Sequence, residues 1–258
     1  MRRAFTLVEI LMVIAMIVIL AAILFPVVSR ARQGGHVATT MSQSKDLGKA
    51  LLLYAEDFDE NFVPSTNYNV KESAPNRFWA PLILPYAGKS ERIFIADGSD
   101  GKFPKTWSER GLMSLGLNSA MALDEKNGCK DGQSGKGNCL AFTTTASGSK
   151  LEARAQIALL ASTAAGPTDQ KYRGYEFSPY NGQVRPDGQM IPRAADRDLV
   201  KELAPMLPAD LIKPIFARYF SDLSNNGRTP VVFLDGHVKS YSAREILDAK
   251  DKIVWDFR

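Results

Sequence analysis

Residues 1–26 read MRRAFTLVEILMVIAMIVILAAILFP. Two arginines precede a long oily run interrupted by one carboxylate, Glu9. From Ile10 to Val28 there are nineteen residues without a charge, and Pro26 is the only helix breaker among them. As a helix this run is about 28 Å long, close to the ~30 Å hydrocarbon core of a bilayer. The apolar part of a cleaved secretory signal is shorter, roughly 7–15 residues, and ends in small residues of the A-x-A kind. Here the run continues into SRARQGGHVATT (29–40), so the segment is expected to stay on the protein. A carboxylate at the edge of such a run has two readings: an interfacial residue at the membrane boundary, or a group held ready for a partner.

The string RRAFTLVEIL resembles the type IV prepilin signature over roughly the first 30 residues. That signature is a short basic leader, a small residue before the cut, then a Phe-Thr-Leu-Val-Glu run entering an apolar helix. The resemblance implies cleavage between Ala4 and Phe5 by a prepilin peptidase, with N-methylation of the new terminus at Phe5. Ala4 stands where the family usually has Gly. It also gives Glu9 a role, because in pilin-like filaments this glutamate pairs with the free amino terminus of a neighbouring subunit. The physics fits, since a carboxylate in hydrocarbon is costly and a nearby ammonium offsets the cost. Family members often carry a proline at the position of Pro26 that loosens the helix during assembly. On sequence alone a plain kink near the membrane exit is an equal reading.

The whole chain has 258 residues, of which 45% are apolar, too few for a protein of many spans. Without Arg2 and Arg3 the 32 basic side chains fall to 30, against 28 acidic. That balance lacks the clustered basic face of a nucleic-acid binder. Beyond the span, Ser29 to Asp57 still reads as helix, with Val37, Met41, Leu47, Leu51, Tyr54 and Phe58 forming one stripe. Gly34-Gly35 is its weak point. Phe5 to Asp57 together predict one helix of about 80 Å, membrane or filament core in its first half and laid along a head in its second.

The head is expected to follow the break at ENFVPSTN. FWAPLILPYAG predicts a short helix capping the core, and ERIFIADGSDG a strand and turn. Ile157 to Ala161 is read as a strand. AADRDLVKELAPM and ADLIKPIFARYF are read as helices cut by prolines. TPVVFLDGHVKSYS predicts a hairpin with a primed turn at Asp235-Gly236. The order LGKALLLYAEDFDENFVP, FWAPLILPY, IFIADGSD and FLDGHVKSYS weakly resembles a pilin-like family of some environmental bacteria. Its members often carry a histidine, nine residues and Asp-Gly before the last strand. Here the histidine position is Asn225, and Ala96-Asp97 replaces a frequent Cys-Pro pair.

Motifs for chemistry are sparse. Asp57, Asp59 and Asn61 resemble the start of a calcium loop, but its sixth and twelfth places hold Phe62 and Tyr68. An acidic helix end is the better reading. Asp97 and Asp100 in DGSDG read first as a turn. A structural calcium at Asp57, Asp59, Asp97 and Asp100 is the weaker alternative, and no other cofactor is expected. GQSGKG lacks phosphate-loop spacing, and neither G-x-S-x-G nor H-E-x-x-H occurs. His237 has no sequence partner. Cys129 and Cys139 are expected to form a disulfide in an extracytoplasmic head.

The fold class expected is α+β: a long N-terminal helix, transmembrane in its first half, on an antiparallel sheet head, as in pilins. Residues 1–4 are the leader, 5–28 the assembly helix, 29–58 its amphipathic continuation and 59–258 the head. The function expected is a pilin-like or pseudopilin-like structural subunit, not an enzyme. Its partners would be the prepilin peptidase/N-methyltransferase, other pilin-like subunits and the membrane. The alternatives are a monomeric membrane-anchored binding domain and, less favoured, a secreted enzyme behind an uncleaved anchor.

Overall fold

The structure is a computed structural model. It describes residues 6–58, 61–122, 155–164, 174–178, 192–196, 205, 214–221, 226–248 and 253. One helix, α1 (Leu7–Asp57), runs for 51 residues, about 77 Å. It is unbroken through Pro26 and through Gly34-Gly35. Its start is set by Thr6, whose hydroxyl accepts from the Glu9 amide while Glu9 reaches back to the Thr6 amide.

The two halves of α1 meet different surroundings. Between Leu7 and Arg32 every residue is exposed except Ala21. From Thr40 onward one face is buried: Thr40, Gln43, Ser44, Leu47, Gly48, Ala50, Leu51, Tyr54 and Ala55. Of the expected apolar stripe, Leu47, Leu51 and Tyr54 are buried. Val37 and Met41 are half-buried, and Phe58 is 48% exposed. Small polar residues replace large apolar ones at the top of the contact, where α1 meets loops instead of sheet.

The helix lies on a five-stranded sheet of order β3-β1-β2-β6-β7. The strands are β1 (Leu115–Asn118), β2 (Ala158–Ser162), β3 (Glu176–Phe177), β6 (Arg228–Phe233) and β7 (Val238–Ser242). The sheet is mixed, not wholly antiparallel as expected, because β3 pairs parallel with β1. One edge of β2 is taken by β6, so β3 joins the open edge of β1. A chain that reverses once after β2 then runs in the direction of β1. Between Ala158 and Leu160 the register of β2 against β6 shifts. This bulge turns Leu159 and Leu160 together toward the α1 side, and both are fully buried there.

Two cores result. Leu47, Leu51, Tyr54, Leu115, Leu117, Leu159, Leu160 and Val232 pack with α2 (Trp79–Ile83), the short helix expected from FWAPLIL. Gly48 permits the close approach, since a Cβ there would lie 3.0 Å from Val232 Cγ1. On the other face Ala158, Ala161, Phe177, Val231 and Phe233 meet a parallel pair, β4 (Ala194–Ala195) and β5 (Ile215–Phe216). They also meet α3 (Ala243–Asp248), which is started by a Ser242–Glu245 capping box. The second face is thus covered partly by strand, where the sequence suggested helices cut by prolines. Ala194, Ala195 and Ile215 are too deeply buried in a sheet layer to belong to a surface helix.

Two further expectations change. Glu91–Phe94 is a 3-10 turn, not a strand. Phe94 packs on Trp79 and Phe103, with ring centroids 5.4 and 5.0 Å away, and the tight turn delivers Phe94 and Ala96 to one core. The β6–β7 hairpin is present, but its loop has three residues, Leu234, Asp235 and Gly236. The Gly236 amide donates to Phe233 O and the Phe233 amide to His237 O. Only Gly236 has positive φ, +84°, so the turn is of the glycine-bulge kind and not the primed two-residue turn.

Candidate functional site

Two places on α1 carry features that packing alone does not require. The first is the exposed arm. Exposed apolar surface of this extent marks an interaction surface. By length and composition the arm could cross a membrane, and none of its most apolar window is buried in the head. Glu9 sits in the first turn. Its Oε2 accepts from the Thr6 amide at 2.8 Å and from the Thr6 hydroxyl at 2.9 Å. The carboxylate is thus satisfied within its own chain. The spacing Thr6-x-x-Glu9 is a capping box legible in sequence. Pro26 lacks the amide that would bond to the Ala22 carbonyl, which loosens the arm there without breaking it. Ala4 and Phe5 lie outside the described residues.

The second place is the neck, where α1 first meets the head. Gln33, His36 and Thr40 share one face of the helix, at the spacing i, i+3, i+7. His36 Nδ1 lies 2.8 Å from Asp97 Oδ2, and Arg92 Nη2 lies 3.4 Å from Asp97 Oδ1. The Asp97 amide donates to Thr40 Oγ1 at 2.9 Å, and the Tyr219 hydroxyl donates to the Asp97 carbonyl at 2.8 Å. Thr40 Oγ1 and Tyr219 Oη are 2.5 Å apart. With Thr40 donating to Tyr219, the three bonds close a ring in which each hydroxyl donates once and accepts once. Such a ring is mutually polarising. Burial pushes the Tyr219 phenol above its ordinary pKa, and the bond from Thr40 offsets part of that shift. Higher on the same face, Gln33 Oε1 accepts from the Phe220 amide at 2.6 Å. Gly98, at φ +72°, brings the loop under the His36 ring; a Cβ there would be 3.2 Å from the imidazole.

The acidic residues considered for calcium are not brought together. Asp57 accepts from the Tyr86 hydroxyl at 2.9 Å, at the far end of α1. Asp97 lies beside His36, 21 positions earlier on the helix, so the two are separated by roughly 30 Å. Asp100 is exposed, and Asp59 lies outside the described residues. Among the described residues no three His, Cys, Asp or Glu side chains are grouped for a metal. His237 Nδ1 lies 2.6 Å from Asp235 Oδ1, and its ring stacks on Phe233 at 4.3 Å. The hairpin turn therefore supplies the partner that the sequence did not. Cys129 and Cys139 lie outside the described residues. Searches against known protein families, curated proteins and solved structures find no match for this chain.

Of the neck residues, the sequence points only to Asp97, as part of a turn. Gln33, His36 and Thr40 continue the buried face of Leu47 and Leu51 upward at helical spacing. That continuity was the signal available. Tyr219 gave none, because its partners lie 122 and 179 positions away.

Proposed function

We propose that the chain is a pilin-like or pseudopilin-like structural subunit of a type IV pilus or type II secretion filament. In this reading it is cleaved between Ala4 and Phe5 by a prepilin peptidase, methylated at Phe5 and assembled through α1. It works by assembly and not by catalysis. The observation that supports it best is the bare apolar arm with a carboxylate in its first turn. In an anchor that carboxylate serves only the Thr6 capping box. In a filament a new ammonium at Phe5 of a neighbouring subunit would also offset the cost of Glu9 in hydrocarbon, a few kcal/mol. The subunit then sits in the inner membrane of a bacterium, N-terminus cytoplasmic and head extracytoplasmic, until it enters a filament. Arg2 and Arg3 flank one end of the run and Arg30 and Arg32 the other, so orientation rests on the prepilin resemblance and not on the positive-inside rule.

A monomeric membrane-anchored binding domain is the second reading. The observation favouring it is the pair of hydrogen bonds that the Thr6 amide and hydroxyl donate to Glu9, which satisfies the carboxylate without a partner. Glu9→Ala separates the two. For an anchor, insertion stays unchanged or improves, since a charge has left the span. For a filament, each subunit buries an unpaired ammonium at a penalty of roughly 3–5 kcal/mol, so filaments fail while processing continues. The measurement is the head domain released by shearing, wild type beside variant, in cells with the assembly machinery. Equal release from both, or none from either, counts against the filament. Mass spectrometry of the native terminus should find N-methyl-Phe5; an intact Met1 would exclude processing.

A further inference from the structure

We infer that the neck is a docking surface for anionic lipid headgroups, with Phe220 as its interfacial anchor and Arg30 and Arg32 as its phosphate partners. This rests on the reading of the arm as membrane-spanning. The apolar run ends at Val28, and beyond it Gln33 is the first residue that is not exposed; its side chain is hydrogen-bonded to the head. Five residues of helix rise about 7.5 Å, close to the thickness of one headgroup layer. With the arm filling the hydrocarbon, whatever is bonded to Gln33 sits at the outer limit of that layer. The group bonded to Gln33 is the Phe220 amide, at 2.6 Å.

Phe220 is an unusual residue for this place. Its φ is +54°, a left-handed conformation in which a bulky side chain is an outlier and glycine or asparagine would be at ease. Its side chain is nevertheless 37% exposed. The loop is held on the head side by the Tyr219 hydroxyl in the Thr40–Asp97 ring and on the arm side by Gln33, so it presents a fixed aromatic side chain at the membrane exit. Strain retained at a surface position points to use. Aromatic rings are favoured at the headgroup level. Arg30 and Arg32 are exposed on the stretch of helix between Val28 and Gln33, and neither forms an ion pair with a described residue. They supply the charge complementary to lipid phosphate at the same depth.

The test uses the full chain in nanodiscs of anionic lipid, with Phe220→Trp read against the background of the three native tryptophans. The emission added by the substitution should be quenched by lipids brominated on the upper acyl chain at least about twofold more strongly than the background, and be shielded from aqueous acrylamide. Arg30→Gln with Arg32→Gln should reduce that lipid quenching. In the unsubstituted chain, amide exchange at Tyr219 to Ser221 should be slower in anionic than in zwitterionic nanodiscs, a readout that does not depend on the variant folding. Added emission open to acrylamide and untouched by brominated lipid, with exchange indifferent to lipid charge, overturns the docking surface. So does shielding that appears only when copies of the chain assemble, which would make Phe220 a contact between subunits. Extraction of the chain from the bilayer by alkaline carbonate would instead overturn the spanning reading beneath it.

Discussion

Tyr219→Phe removes one oxygen from the ring at the neck and leaves the phenyl body in place. Tyr219 is 4% exposed, so water does not readily replace the hydroxyl. The Asp97 carbonyl loses its donor, and the Thr40 hydroxyl loses its acceptor while still accepting from the Asp97 amide. Leaving a buried acceptor unsatisfied costs about 1–3 kcal/mol. For a head of this size each kcal/mol moves the melting temperature by ~2–4 °C, so a fall of roughly 2–12 °C is expected. The assay is thermal unfolding of the full chain in detergent, with amide exchange read at Asp97. Thr40→Ala should weaken the same ring, and the double variant should lose less than the two single losses combined, because both break one network. Thr40→Ser, which keeps the hydroxyl, should recover most of the loss. An unchanged melting temperature, or two fully additive losses, would refute the ring.

Gly236→Ala places a methyl 2.9 Å from Leu52 Cδ1 and holds alanine at φ +84°, so unfolding should become easier by about 1–3 kcal/mol, read by chemical denaturation. Burial raises the phenols of both Tyr219 and Tyr175, so the folded chain keeps these protons after the unfolded chain has lost them. Their contribution is intact below the ordinary tyrosine value of about 10 and is lost as pH rises beyond it; absorbance titration showing every tyrosine ionising together near that pH would contradict this. Ser242→Ala removes the acceptor for the Glu245 amide and should cost about 1 kcal/mol, seen as faster exchange along α3. The bond from the Ser242 amide holds the Glu245 carboxyl below its ordinary value, so this cap is present above the usual glutamate value of about 4.3 and weakens as pH falls below it.

Local signals wrote α1, α2 and the hairpin legibly. Each rests on periodicity or a turn residue within its own segment, and Asp235-Gly236 needs no distant partner to form a turn. The elements misread were those whose state is set from afar. ERIFIADG is apolar enough for a strand, yet it winds into a 3-10 turn that delivers Phe94 and Ala96 to the α1 core. Ala194 and Ile215 lie in segments of helical composition but complete the layer over Val231 and Phe233. At the candidate site, Glu9 was legible because a charge in an oily run is conspicuous. Its bond to Thr6 follows from the i, i+3 spacing of a capping box. The neck was illegible at Tyr219, whose hydroxyl is explained only by loops that meet in three dimensions.

The neck also decides where the long rod can bend. Gly34 and Gly35 are its weakest helical residues by propensity, at about 1 kcal/mol each relative to alanine, and nothing lies within 4 Å of the position a Cβ would take on either. Yet Gln33 on one side and His36 and Thr40 on the other are fastened to the head. The head therefore acts as a splint across the glycines, and flexure is driven up the rod to the missing bond at Pro26, inside the bare arm. Head and lower helix then move as one lever. Its fulcrum lies within the apolar run, about 10 Å from the first fastening at Gln33.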